Sequence, residues 1–112
     1  MNKTFKDICW IAENGFDDSG ASMLPLRMND IYGINVLFKS TNNPYKDTEG
    51  IDIYTSYYDL YDKVRELKPK VLFFILPLFN NRTRKELANF VSTLFLLRRK
   101  LGCKVIMIDC SI

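Results

Sequence analysis

The 112 residues are 47% apolar and 26% charged, with a formal net charge of +3. That balance excludes a disordered chain and suits one hydrophobic core, since a chain this long buries about two thirds of its unfolded surface. There is no histidine, so a Ser–His–Asp triad, a Cys–His pair and most zinc sites are excluded.

Asp7–Glu13 is apolar and rich in β-formers as far as Asn14-Gly15, which predicts a first strand. Asn14–Ser22 is a polar loop whose Asp17-Asp18-Ser19-Gly20 run holds several turn formers. A helix is predicted from Ser22 to Tyr32, with Leu24, Met28, Ile31 and Tyr32 on its buried face. Pro25 fits only its opening turn, and Gly33 is placed to end it. Ile34–Lys39 is the second strand. Ser40–Gly50 is polar and broken by Pro44, and reads as a loop. Ile51–Thr55 alternates in polarity and reads as a short edge strand. Ser56 caps the next helix, with Asp59 as the partner of a capping box. Tyr57, Leu60, Tyr61, Val64 and Leu67 give its period, and Pro69 stops it. Val71–Leu76 is unbroken apolar sequence, as in a central parallel strand covered on both faces. The longest helix starts between Asn80 and Thr83, where Thr83 and Glu86 form a capping box. Its buried stripe is Leu87, Phe90, Val91, Leu94, Leu97 and Leu101, and Gly102 closes it. Lys104–Asp109 is the last strand.

This alternation predicts an α/β domain with a mostly parallel sheet of four to five strands and helices on both faces. Residues 1–112 are expected to form that single domain. Val71–Leu76 and Lys104–Asp109 should lie side by side and point the same way.

Ligands of open α/β sheets bind beyond the carboxyl ends of the strands. Four segments qualify: Asn14–Ser22, Ser40–Gly50, Pro77–Thr83 and Asp109–Ile112. The first passes through Gly15, Ser19, Gly20 and Ser22 into a helix N-terminus, where free N–H groups favour an anion. Asp17 and Asp18 oppose one, and neither G-x-G-x-x-G nor a Walker loop is present. An ordinary β–α turn is the competing reading. Arg27, one turn into the helix, is a ligand contact or a surface ion-pair partner. Asp109 positions a hydroxyl or caps a turn, and Glu13 shares its crevice if their strands are neighbours. Tyr54, Tyr57, Tyr58 and Tyr61 stack on a sugar or base, or else pack the core and its rim.

Residues 57–112 carry eleven basic and five acidic groups, against five and eight in residues 1–56. Arg82, Arg84 and Lys85, then Arg98, Arg99 and Lys100, form a basic patch suited to phosphate, nucleic acid or an acidic partner. Solvated helix ends are the competing reading. Cys9, Cys103 and Cys110 are odd in number and make no C-x-x-C pair, so they read as small apolar residues in a reducing compartment. No signal peptide and no apolar run of about 20 residues is evident, so a cytoplasmic protein without a membrane span is expected.

Three segments together resemble the N-terminal Rossmann-like domain of GT-B glycosyltransferases. The first is Ile8–Glu13 with Ser19-Gly20-Ala21-Ser22 and Arg27. The second is Gly33-Ile34-Asn35-Val36. The third runs from Lys70–Leu76 through Arg99-Lys100-Leu101-Gly102 to Lys104–Asp109. The resemblance spans about residues 5 to 110, and a similar arrangement occurs in phage DNA glucosyltransferases. It implies a small three-layer Rossmann-like domain in which Gly15, Ser19, Gly20, Ser22, Arg27 and Asp109 line the acceptor side. GT-B enzymes hold the nucleotide sugar mostly in a C-terminal domain, whose acidic motif this sequence lacks. Activity would therefore need a partner chain, and the chain itself should hold no cofactor and no metal.

Two functions follow as expectations. One is a stand-alone protein-binding or accessory module of phage or mobile-element type, without catalytic machinery. The other is the acceptor-side half of a sugar-nucleotide-dependent glycosyltransferase. Nucleic-acid binding through the basic half ranks below both, because acidic residues interleave with the basic ones.

Overall fold

The computed structural model describes residues 5–12, 23–76 and 84–109. In chain order the elements are β1 (Ile8–Ala12), α1 (Met23–Tyr32), β2 (Asn35–Lys39), β3 (Ile51–Tyr54), α2 (Tyr57–Leu67), β4 (Val71–Leu76), α3 (Arg84–Leu101) and β5 (Lys104–Asp109). The five strands form one sheet in the order β3-β2-β1-β4-β5. Every neighbouring pair is parallel. This is a Rossmann-like fold. β4 and β5 lie in register from Val71↔Lys104 to Leu76↔Asp109, as their sequences predicted.

Successive side chains of a strand point to opposite faces, so each strand feeds two cores. Cys9, Ile11, Leu37, Tyr54, Leu72 and Cys103 share one core with Leu60 and Val64 of α2 and Phe90, Leu94 and Leu97 of α3. Trp10, Val36, Phe38 and Ile51 share the other with Ile34, and Leu26 and Met28 of α1 pack against it. The chain steps from β1 through α1 to β2, then crosses back past β1 to β4 and β5. Right-handed crossovers in opposite directions put their helices on opposite faces of a sheet.

The helix ends follow their local chemistry. The Ser56 hydroxyl accepts a bond from the Asp59 N–H (3.1 Å), and Asp59 Oδ2 accepts one from the Thr55 N–H (3.0 Å). α2 closes on Lys68, a non-glycine residue in the left-handed region at φ 53. Pro69 bars Lys68 from continuing the right-handed helix, and in the left-handed cap the Lys68 N–H donates to the Val64 carbonyl at 2.9 Å. Gly102 closes α3 at φ 70, with its N–H on the Arg98 carbonyl at 3.0 Å. The Thr83–Glu86 capping box and Leu87 of the predicted stripe lie outside the described residues and side chains.

The face of α1 differs from expectation. Leu24, Ile31 and Tyr32 are exposed, Met28 is half-buried, and Pro25 and Asn29 are buried instead. Asn29 holds that face inward by hydrogen bonding. Its amide donates to the Ile34 carbonyl at 2.8 Å and to the Glu49 carbonyl at 3.1 Å. Those bonds tie the end of α1 to the turns entering β2 and β3. Tyr32 remains at the surface, its ring edge-on to Phe5 at 5.7 Å.

Cys9 and Cys103 are free and buried, as their sequence context suggested; Cys110 lies outside the described residues. Burial, and then the neighbouring Cys103, push the Cys9 thiol up to about 12 from 9.0. The folded protein therefore keeps this thiol protonated at pH values where the unfolded chain ionises it. The associated stability is fully present below pH 9 and is lost as pH rises toward 12. Between those values the wild type should lose about 1.4 kcal/mol per pH unit relative to Cys9→Ala. Urea unfolding of both proteins at pH 8, 9.5 and 11 measures this; parallel curves would contradict it.

Candidate functional site

The strand order reverses at β1, which sits between β2 and β4. In open α/β sheets the ligand crevice lies outside the carboxyl ends of the strands at such a point. β1 is in register with β2 as far as Ala12↔Phe38, and β4 with β5 as far as Leu76↔Asp109. Between the two central strands the register runs from Ile8↔Val71 to Trp10↔Phe73. Trp10 and Phe73 meet edge-to-face at 4.6 Å.

At the carboxyl end of β2 stands Lys39, in register with Tyr54 at the end of β3. It is exposed, with its ammonium 5.7 Å from the centre of the Tyr57 ring at the start of α2. In dinucleotide-binding sheets this strand end faces the ribose, where a carboxylate accepts from hydroxyls and a cation accepts a phosphate. The following segment is organised by its own side chains. The Ser40 hydroxyl donates to the Asn42 carbonyl at 2.8 Å, and Asn43 Oδ1 accepts from the Tyr45 N–H at 2.9 Å. Lys39 was missed in the sequence because the signal is positional. It is the last residue of an otherwise apolar strand, and only the strand order gives that end meaning.

Of the sequence-derived ligand residues, Gly15, Ser19, Gly20 and Ser22 lie outside the described residues. Arg27 is exposed on α1, one turn from its first residue. Asp109 ends β5 beside Leu76. β4 stands between β1 and β5, so the strands that carry the chain to Glu13 and Asp109 are not neighbours, the condition for pairing the two; Glu13 itself lies outside the described residues. Arg82 lies outside the described residues. Lys85 is exposed at the start of α3, and Arg98, Arg99 and Lys100 are exposed in its last turn. With a rise of about 1.5 Å per residue, Lys85 and Arg98 stand about 20 Å apart along α3. The side chain of Arg84 lies outside those described.

The tyrosine row divides. Tyr54 is wholly buried in the core, and Tyr57 packs edge-on to Phe90 at 6.2 Å. Tyr57, Tyr58 and Tyr61 line one wall of a groove of about 690 Å³ between α2 and α3, opposite Leu96 and Lys100. Among the described residues no group of three His, Cys, Asp or Glu is placed to hold a metal ion. Among them, no helix is long and apolar enough to cross a membrane.

No family model matches the chain, and no curated protein does. Among solved structures it is similar to L-threonine 3-dehydrogenase from Trypanosoma brucei, with a TM-score of 0.62 and 16% identity. The match covers 90% of this chain and 35% of the dehydrogenase chain. At that identity the likeness carries the fold alone: the chain is similar to the Rossmann-like part of a dehydrogenase and spans about a third of its length.

Proposed function

We propose that this chain is a ligand-binding domain for a nucleotide-bearing molecule, held at the carboxyl ends of β1 and β4. The reversal of strand order at β1 carries the reading, because open α/β sheets take their ligands outside the carboxyl ends of the strands at such a point. Lys39 supports an anionic ligand at the adjoining strand end. Gly15, Ser19, Gly20, Ser22 and Arg27 are the ligand-facing residues of this reading, and Asp109 its outer margin. The domain binds, and catalysis is the work of a second domain or a partner chain.

Trp10 is the chain's single tryptophan and pairs with Phe73 between the two central strands, so its emission reports on that part of the sheet. Titration with NAD, NADP and UDP-glucose should change that emission saturably for at least one of them. Lys39→Glu should weaken that ligand about tenfold or more, the scale of a lost hydrogen bond to a charged group. Unchanged Trp10 emission with all three through the millimolar range would overturn the reading.

A further inference from the structure

The two edges of the sheet are finished differently. The Val36 N–H donates to the Gly50 carbonyl at 2.8 Å and the Ser40 N–H to the Tyr54 carbonyl at 3.2 Å, so those residues bond inward to β2. Ile51 and Ile53 then turn their backbone groups outward. Local partners take them up. The Ile51 N–H donates to the Thr48 carbonyl (3.3 Å) and the Ile53 N–H to Asp52 Oδ1 (2.8 Å). Lys63 Nζ donates to the Ile53 carbonyl at 2.7 Å while pairing with Asp52 at 3.1 Å. Charged side chains thus block a further strand at the β3 edge.

β5 is the opposite edge. The Lys104 N–H donates to the Lys70 carbonyl at 2.8 Å, so Lys104 and Ile106 bond toward β4 while Val105 and Met107 face out. No described residue bonds the outward backbone groups of Val105 or Met107. Apolar side chains surround them. Ile106 is 47% exposed, Met107 42%, and Phe95 of α3 57%. A groove of about 400 Å³ runs along this edge, lined by Val91, Phe95, Ile106 and Met107 with Arg98 and Lys104 at one end.

We propose that β5 is a dimerisation strand that pairs antiparallel with β5 of a second copy across a two-fold axis, making one continuous sheet. Outward residues must meet outward residues. One such register sets Met107 on its own symmetry mate and Val105 opposite Asp109 of the second copy. This brings the basic start of each strand beside the acidic end of the other. It also holds the two Arg98–Lys104 ends apart, where a parallel mate would stack them. The two Phe95 grooves meet over the seam. Three exposed side chains and one strand edge make a small patch beside the about 800 Å² per copy of a standard interface, so the dimer is concentration-dependent. Because the β3 edge is blocked, assembly closes at two copies and does not run on into a filament.

Sedimentation velocity over a range of protein concentrations tests this, with two variants. Met107→Pro removes an outward N–H and leaves the β4–β5 bonds in place. Phe95→Glu charges an exposed helix position and decides the matter if the proline variant does not fold. The wild type should shift from monomer to dimer, with exchange of the Val105 and Met107 amides slowing in step. Each folded variant, checked by circular dichroism, should dimerise at least tenfold more weakly. A wild type that stays monomeric through the millimolar range, or a dimer undiminished in either folded variant, would overturn the proposal.

Discussion

Replacing Phe38 with Ala should remove about 3–5 kcal/mol of folding stability, the cost of emptying a buried aromatic site. Phe38 is wholly buried on β2, in register with Ala12 of β1 and Ile53 of β3. Its core also holds Trp10, Val36 and Ile51, beneath α1. That is the thinner core of the two, one helix over the sheet where the other has two, so little can move in to fill a cavity. A domain of this size is stable by about 5–15 kcal/mol, so the variant should sit near its unfolding midpoint at much lower urea. Trp10 emission follows the transition directly, since Trp10 packs in the same core. A loss under about 1 kcal/mol would mean that Phe38 is not enclosed as described.

Asn29→Leu should cost about 2–4 kcal/mol although it makes the residue more apolar. One buried and one part-buried hydrogen bond are lost, and the Ile34 and Glu49 carbonyls they served are left wanting a donor. Gly50 adds a steric constraint at the same place. It holds φ 87, and a Cβ there would meet Asn29 Nδ2 at 2.7 Å. Gly50→Ala should therefore be destabilising through both strain and displacement of the Asn29 amide. Arg27→Ala, exposed on the same helix, should stay within about 0.5 kcal/mol. Urea unfolding of the three variants separates the network from a general effect of altering α1.

The elements and their parallel order were legible because the signals were local and strong. VLFFIL is apolar without interruption, Ser56 and Pro69 bracket α2, and Gly102 ends α3. The inward face of α1 was not legible. Periodicity favours Leu24, Ile31 and Tyr32, but the bonds that turn Asn29 inward come from carbonyls five and twenty residues away. The Glu13–Asp109 pairing failed for a similar reason. Sequence places each at a strand end and is silent on which strand stands between them. Nothing in the sequence singles out Asp52 or Lys63. Only the outward register of Ile53 reveals them as the seal of an edge.

The claim on which the functional account turns is that ligand meets the sheet at the carboxyl ends of β1 and β4. Amide chemical-shift mapping during titration with the nucleotide that perturbs Trp10 tests it most directly. The account predicts that the largest shifts cluster at Ile11, Ala12, Lys39, Ser40 and Ile75–Leu76, at one end of the sheet. Shifts confined to the opposite end, around Lys6, Asn35 and Leu67, or to the α2–α3 groove, would contradict it.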